Sequence, residues 1–241
     1  MSRILALETA TEACSVALWI EGEVLERFEV APRRHAELAL PWIEELLAQA
    51  GMVRAQLDAV ACGRGPGAFT GVRLAVAITQ GLALALDRPA VGVSTLDALA
   101  LPAMRALERA GDSATGVLAA IDARMGEVYL ADYARDAGGI WIRRGEEQVL
   151  APADAALEPH AVRVGVGSGF AAQDAALVAR LGEWLARVDE NALPRAGGVA
   201  HLAAAALARG EGIAPEDLQP AYLRNKVALT LAEQGKPLPA G

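Results

Sequence analysis

The sequence predicts an α/β protein that contains two copies of one unit, each with a mixed sheet and helices on its faces. A meander of three strands is followed by alternating helices and strands over residues 4–110, and residues 116–209 repeat this plan in a degraded form. No linker rich in Pro, Gly or Ser separates the copies, so we expect two closely packed lobes. We expect an N-terminal lobe at residues 1–110, with residues of about 200–230 packing back on it, and a C-terminal lobe at 111–199.

In the first copy, short apolar runs bounded by turn residues predict strands, and apolar residues at helical spacing predict helices. Ser94 stands where it can cap the third of these helices. The predicted strands are 4–7, 14–20, 24–30, 59–62 and 89–94, and the predicted helices are 35–51, 72–86 and 95–110.

The second copy begins with a strand, a tight turn near residues 124–126 and a second strand, the same device that opens the chain. The segment 141–150 continues this meander, and 161–170 is a strand that runs into a glycine cluster. Helices are expected at 173–185 and 199–209. The tail at 218–229 is expected to be irregular and then helical, and 235–241 a loose end.

Composition limits the classes of function. The chain has 241 residues, a net charge of −8 and two lysines, Lys226 and Lys236, which disfavours a protein that grips a nucleic-acid backbone by itself. No uninterrupted apolar stretch has the length of a bilayer span, so no membrane contact is expected. Cys14 and Cys62 lie in separate apolar strands without metal spacing, which favours reduced, buried thiols in a cytosolic protein.

The stretch "GRGPGAFTGVR" at residues 63–73 places four glycines between a strand and a helix. It lacks the lysine of a P-loop, and although it fits G-x-G-x-x-A, Asp87 precedes the next strand instead of following it. Two roles remain open: a tight strand-to-helix connection, or a loop that contacts an anion at a helix start near Gly71 capped by Thr70.

Catalytic and metal motifs are weak. His35 opens the first long helix, but the position one turn later, where a helical metal pair needs its second ligand, is Ala39. Glu8 and Asp122 each begin the turn after the first strand of their copy, where a nucleotide-binding lobe places an acid that faces magnesium. A solvated turn explains the same positions.

Five blocks, taken together and in order from residue 4 to about 228, resemble the TsaB (YeaZ) family. They are "ILALETATEACSVAL", "GRGPGAFTGVRLAVAITQGLA", "STLDALA", "IDARMGEVYLA" and "PAYLRNKVA". The resemblance implies the fold of actin, Hsp70 and sugar kinases, with two lobes similar to ribonuclease H. It also implies a cytoplasmic, noncatalytic scaffold or activator subunit that helps to form threonylcarbamoyladenosine at position 37 of tRNAs reading ANN codons.

The same resemblance implies partners and site residues. Proteins of this family pair with TsaD through two helices of the N-terminal lobe, TsaE joins them, tRNA is reached through the complex, and the chain forms a homodimer when alone. The partner-facing residues would be His35, Leu38, Trp42, Val72, Arg73, Val76 and Gln80. A vestigial nucleotide site would use Glu8, Thr9, Thr11, Gly165, Gly167 and Gly169.

Two departures from the pattern bear on activity. Ala39 stands where TsaD-like proteins have the second histidine of a metal-binding pair, and Glu8 stands where this family usually has Asp. We therefore expect no metal ligands and no bound cofactor, with ATP and magnesium entering only in the complex. The alternative is a stand-alone nucleotide-dependent kinase or ATPase of the same fold. Metallopeptidase activity, suggested by the old "glycoprotease" (M22) family label, is disfavoured by the missing histidine.

Overall fold

Two mixed β-sheets organise the chain, and the computed structural model describes residues 2–110, 114–158 and 161–224. The first sheet has the order β3-β2-β1-β4-β5, with antiparallel pairing in β1–β3 and parallel pairing of β4 and β5. Its strands are β1 (Arg3–Glu8), β2 (Ala13–Ile20), β3 (Glu23–Val30), β4 (Ala59–Gly63) and β5 (Ala90–Val93).

The second sheet repeats this plan. Its order is β11-β10-β6-β7-β8, with β9 also paired to β7, so three antiparallel strands are again extended by two parallel ones. Its strands are β6 (Gly116–Arg124), β7 (Glu127–Arg135), β8 (Trp141–Arg143), β9 (Gln148–Leu150), β10 (Arg163–Val166) and β11 (Leu185–Asp189). The prediction of an α/β chain with two mixed sheets is confirmed.

In the described ranges, five α-helices cover the sheets: α1 (His35–Gln49), α2 (Phe69–Leu86), α3 (Thr95–Ala110), α4 (Ala172–Leu181) and α5 (Ala196–Ala208). β1 is buried on both faces, because alternate residues enter different cores. Leu5 and Leu7 join the core under α1 and α2, whereas Ile4 and Ala6 join the core under α5.

Helix α3 lies between the two sheets. Leu96 and Leu99 pack with Val117 and Ile121 of the second sheet, while Ala98 belongs to the core formed by the first sheet and α5. Helix α4 covers the other face of the second sheet, in a core that includes the fully buried Phe170. The lobes therefore share one helix as a common packing element.

The structure corrects two helix boundaries. The helix expected at 173–185 ends at Leu181, and Leu185–Asp189 forms the edge strand β11, because pairing with β10 satisfies its backbone. The helix expected at 199–209 begins at Ala196. Its first N–H groups are capped from the sheet, since Ala196 N donates to Ser15 Oγ at 3.0 Å and Gly197 N to Glu26 Oε1 at 2.8 Å.

Residues 218–224, here named the strap, run from α2 to the second sheet. Gln80 Nε2 donates to the Leu218 carbonyl at 3.1 Å, and Ala221 N donates to the Arg64 carbonyl at 2.7 Å. Arg224 then binds the Glu127 carboxylate through Nε at 3.0 Å. The expected tail helix, the loose end, both lysines and residues 225–230 of the segment expected to pack back on the N-terminal lobe lie outside the described residues.

Candidate functional site

The glycine loop at 63–71 packs directly on the turn after β1. Ala68 N donates to the Ala10 carbonyl at 2.7 Å. A Cβ atom at Gly67 would lie 2.4 Å from the Ala10 oxygen, and one at Gly71 would lie 1.9 Å from the Thr9 oxygen. The missing side chains thus allow backbone to touch backbone, which favours the tight connection of the two roles left open by the sequence.

The start of α2 differs from the expectation. The helix begins at Phe69 with Ala68 at its N-cap position, and no side chain caps it. Thr70 lies inside the first turn of the helix instead of before it. The expected Thr70 cap is wrong because contact with the turn at residues 9–10 starts the helix two residues earlier.

Glu8 points into the protein. Its side chain is buried, Oε1 accepts from Ala10 N at 2.7 Å, and Oε2 accepts from the Thr95 hydroxyl at 3.1 Å. A Cβ atom at Gly63 would come within 1.9 Å of Oε2, so the glycine makes room for this carboxyl group. Burial raises the pKa of Glu8 to about 7. The carboxyl group therefore joins the turn to the N-terminus of α3.

The other residues expected in the first nucleotide turn are likewise bonded within the chain. Thr9 Oγ1 donates to the Gly71 carbonyl at 2.7 Å, and Thr11 Oγ1 accepts from Ala13 N at 3.4 Å. His35 Nε2 lies 2.9 Å from the Thr11 carbonyl, which can only accept, so this nitrogen carries the proton. Three predicted site residues are thereby engaged by the chain itself.

Gly165, Gly167 and Gly169 are buried beside β6. A Cβ atom would lie 2.7 Å from the Phe170 ring at Gly165, 2.3 Å from the Ala120 oxygen at Gly167 and 2.7 Å from the Ala120 side chain at Gly169. These glycines admit close packing of the chain on itself. They contact β6, whereas Glu8 and Thr9 contact the glycine loop and α3.

The residues that we predicted to face a partner lie in several environments. Val72 and Val76 are buried in the chain's own structure, and Leu38 and Trp42 pack partly buried against the core under α1 and α2. Gln80 binds the strap and His35 binds Thr11. The surface available to a partner on α2 therefore shifts away from these two valines, because Val76 packs into the core under α1 and α2 and Val72 lies against Gly65 of the glycine loop.

Arg73 remains exposed at the start of α2. Its guanidinium lies 3.6 Å from the centre of the Phe69 ring, and its Nε donates to the Tyr222 hydroxyl at 2.8 Å. Phe69 and Tyr222 are themselves more than half exposed. A cation between two exposed aromatic rings is a composition typical of interface hot spots.

The exposed side of α2, here named the α2 outer face, consists of Phe69, Arg73, Ala77, Gly81 and Leu84. Leu84 is 70% exposed, and no heavy atom lies within 4 Å of the position that a Gly81 Cβ would take. The i, i+4 spacing of 69, 73, 77 and 81 could have revealed this stripe in the sequence. The sequence prediction named Arg73 but not the other four residues, because both faces of α2 are apolar.

The apolarity of α2 is high enough, by length and composition, for a membrane span. Among the described residues it is the one helix that passes this test, although 28% of it is buried inside the protein. Core helices of soluble proteins pass the same test. Here one side of α2 packs on the sheet and the other forms the outer face.

Comparison with known proteins identifies the family. Residues 28–228 match the sequence profile described as "TsaD: tRNA N6-adenosine threonylcarbamoyltransferase". The chain is 45% identical to the Escherichia coli (strain K12) "tRNA threonylcarbamoyladenosine biosynthesis protein TsaB", over 94% of this chain and 96% of that protein. This chain belongs to the TsaB family.

Further relatives of the TsaB family agree. The Haemophilus influenzae (strain ATCC 51907 / DSM 11121 / KW20 / Rd) protein of the same name is 40% identical over 93% of this chain and 94% of its own length. The solved structure described as "YeaZ from Pseudomonas aeruginosa" superposes with a TM-score of 0.81 at 46% identity, covering 92% of this chain and 100% of that one. The resemblance stated from the sequence blocks is confirmed.

No group of three or more His, Cys, Asp or Glu side chains that could hold a metal ion occurs in the part of the chain that the structure describes. Asp122, the second expected acid, pairs with Arg124 at 2.8 Å, and its backbone N–H donates to Ser168 Oγ at 3.2 Å. Both turn acids are thus held by neighbouring groups of the chain.

Proposed function

We propose that this chain is a noncatalytic scaffold or activator subunit for the formation of N6-threonylcarbamoyladenosine at position 37 of tRNAs that read ANN codons. It pairs with TsaD through α1 and α2, and TsaE joins the pair. The pathway is supported by the names of the curated relatives and by the TsaD-like profile match. The mode of action is supported by the α2 outer face.

Gly81 is the observation that carries the proposal. A glycine inside a helix costs about 0.5–1 kcal/mol relative to alanine. No neighbour within the described chain requires its missing Cβ, since the space around that position is open. With exposed Ala77 one turn earlier, it forms a shallow centre in which a partner helix can approach at short interaxial distance.

The ends of the same face supply the larger contacts. Leu84 at one end, and Phe69 with Arg73 at the other, are exposed in the free chain. Leu40 of α1 is 52% exposed. A surface with large groups at its ends and small groups at its centre fits a pair of helices from a partner, which gives a four-helix interface.

A noncatalytic role is supported by what the two nucleotide turns contact. Glu8 accepts a hydrogen bond from Thr95 of α3, and Thr9 donates one to Gly71 of the glycine loop. The space that side chains at Gly165 and Gly167 would take is occupied by Phe170 and by β6. We propose accordingly that ATP and magnesium act in the complex and that tRNA is reached through TsaD. The chain alone forms a homodimer through the same helices, in the cytoplasm.

We also assign the chain to the actin, Hsp70 and sugar-kinase fold, with two lobes similar to ribonuclease H. The support is the repeated sheet plan: in each sheet three antiparallel strands are followed by two parallel strands on the side of the first strand. The shared helix α3 between the sheets fits this assignment.

The decisive experiment is reconstitution. The purified chain is mixed with TsaD, TsaE, the threonylcarbamoyl-adenylate donor, ATP and tRNA, and modified adenosine is measured by mass spectrometry of digested tRNA. We expect modification to require this chain, and the chain without TsaD to yield none. Modification that is undiminished when this chain is left out refutes the proposal.

The competing hypothesis is a stand-alone kinase or ATPase. It requires Gly165, Gly167 and Gly169 to approach a nucleotide, and they instead pack on the chain's own residues. Calorimetry with Mg-ATP on the isolated chain separates the two hypotheses. Tight binding with turnover supports the enzyme, and a flat titration supports the scaffold.

A further inference from the structure

The segment between β8 and β9 carries a carboxylate across to the N-terminal lobe. The Glu147 side chain is 6% exposed and meets three groups. The Ser94 hydroxyl donates a short hydrogen bond to its Oε1. The guanidinium groups of Arg64 and Arg143 each lie 3.4 Å from one of its oxygens. Its charge is thus balanced by two cations in a nearly buried position.

The partners of Glu147 come from both sides of the lobe junction. Arg64 belongs to the glycine loop after β4, and Arg143 ends β8 of the second sheet. Ser94 caps α3, because its Oγ accepts from Leu96 N at 3.1 Å. A carboxylate beside the start of a helix is also stabilised by the helix dipole.

A second layer of contacts holds the same segment against α3. Arg143 lies 3.4 Å from Asp97 Oδ1, and the Tyr133 hydroxyl donates to that oxygen at 2.6 Å. Within the described residues, the buried Arg143 Nε has no hydrogen-bond partner. The position of Arg143 is therefore set by its two carboxylate neighbours, Asp97 and Glu147.

Much of the remaining packing between α3 and the second sheet is apolar and gives little directional constraint, although Trp141 Nε1 also donates to Glu108 Oε1 at 2.9 Å. Leu96 and Leu99 of α3 pack on the second sheet, and Ala98 of α3 packs near Gly198 of α5. Helices packed through small or aliphatic groups can slide by small shear movements. Directional bonds are needed to select one position.

We propose that Glu147 is a clasp that fixes the second sheet in one position along α3. Breaking the clasp releases a sliding movement between the lobes while each lobe stays folded. The strap is a second link between the lobes, since Arg224 binds Glu127 while the Arg64 carbonyl accepts from Ala221 N. The inference does not depend on the proposed function, because every contact lies within this chain.

Spin-label distances between the lobes test the clasp. Nitroxides are placed at Ala48→Cys on α1 and Ala179→Cys on α4, two exposed positions, while the buried native thiols Cys14 and Cys62 stay unlabelled. The distance distribution is measured by pulsed electron paramagnetic resonance. We expect one narrow peak for the unaltered clasp.

Three variants are compared in this background. Glu147→Ala should broaden the distribution at least twofold, and Arg64→Gln, which leaves the carboxylate in place, should broaden it less. Glu158→Gln is the matched control, because Glu158 makes an exposed ion pair with Arg144 at 3.0 Å in the same lobe. It should leave the peak unchanged.

Acetate added to the Glu147→Ala variant supplies a carboxylate in place of the one removed. It should narrow the distance distribution of this variant, whereas chloride at the same ionic strength should leave the distribution broad. The far-UV circular dichroism spectrum of every variant must match that of the unaltered chain. The proposal is overturned if both clasp variants keep the narrow peak, or if broadening occurs only together with loss of helix signal.

Discussion

Substitution of Gly81 should have opposite effects on the stability of the free chain and on its affinity for TsaD. Alanine at this position meets no neighbour within 4 Å, so Gly81→Ala should stabilise the free chain by about 0.5–1 kcal/mol. For a chain of this size that corresponds to a rise in Tm of roughly 1–4 °C. Differential scanning calorimetry of the isolated chain measures it.

In the proposed complex with TsaD, atoms added at Gly81 should keep the partner helix away from α2. Overpacking of a close contact costs about 1–3 kcal/mol, so Gly81→Leu should weaken pairing with TsaD by roughly 5–150-fold, and Gly81→Ala by less. Isothermal titration calorimetry with purified TsaD measures the affinity. A higher Tm of the free chain together with a lower affinity for TsaD would indicate that the glycine serves a contact with the partner.

Gly182 provides the matched control. It also has open space around its absent Cβ and a helical backbone, but it lies in the second lobe at the end of α4. Gly182→Ala should raise Tm similarly and leave TsaD binding unchanged. The reasoning fails if Gly81→Leu binds TsaD as the unaltered chain does, or if Gly81→Ala lowers Tm.

Three further predictions concern buried groups. The raised pKa of Glu8 means that the native state holds a proton the unfolded state releases, so stability should fall by about 3 kcal/mol between pH 4.5 and pH 8, relative to Glu8→Gln. Asp132→Asn should cost about 3 kcal/mol in urea unfolding, because the buried Arg163, 2.5 Å away, loses its anion. Burial raises the pKa of Cys14 to about 11 and of Cys62 to about 12, so both should react with a disulfide reagent only after unfolding.

The first two of these predictions have matched control variants, and each of the three has an outcome that would contradict it. Glu37→Gln, at an exposed pair with Arg34, should leave the pH profile unchanged, and a flat difference between native and Glu8→Gln chains contradicts the first prediction. Glu44→Gln, in an exposed pair, should cost less than 1 kcal/mol, and an equal cost contradicts the second. Rapid labelling of either thiol in the folded chain contradicts the third.

The local patterns that predicted the fold are those set by neighbours in sequence. The alternation of apolar and polar residues, together with the turn residues, located the two meanders. Ser94 was correctly predicted to cap α3, since its Oγ accepts from two N–H groups of the first turn. What failed depends on distant contacts. Strand β11 has a mostly exposed sequence and exists through its pairing with β10, and α5 starts early because Ser15 and Glu26 cap it.

The candidate surface shows the same limit. Helix α2 is apolar on both sides, so its periodicity could not tell which side meets the sheet, and Val72 and Val76 were assigned to a partner although they are buried. The outer face became visible only once the sheet was in place. The inward turn of Glu8 was equally hidden, because it depends on Gly63 and Thr95, more than fifty residues away.

The position of α3 between the sheets has a consequence for any attempt to divide the protein. A truncation after residue 110 would leave Leu96, Leu99 and Met104 facing water, since their packing partners are strands of the second half. A fragment that starts at residue 116 would lack the layer that covers one side of its sheet. We therefore expect neither half to fold without the other.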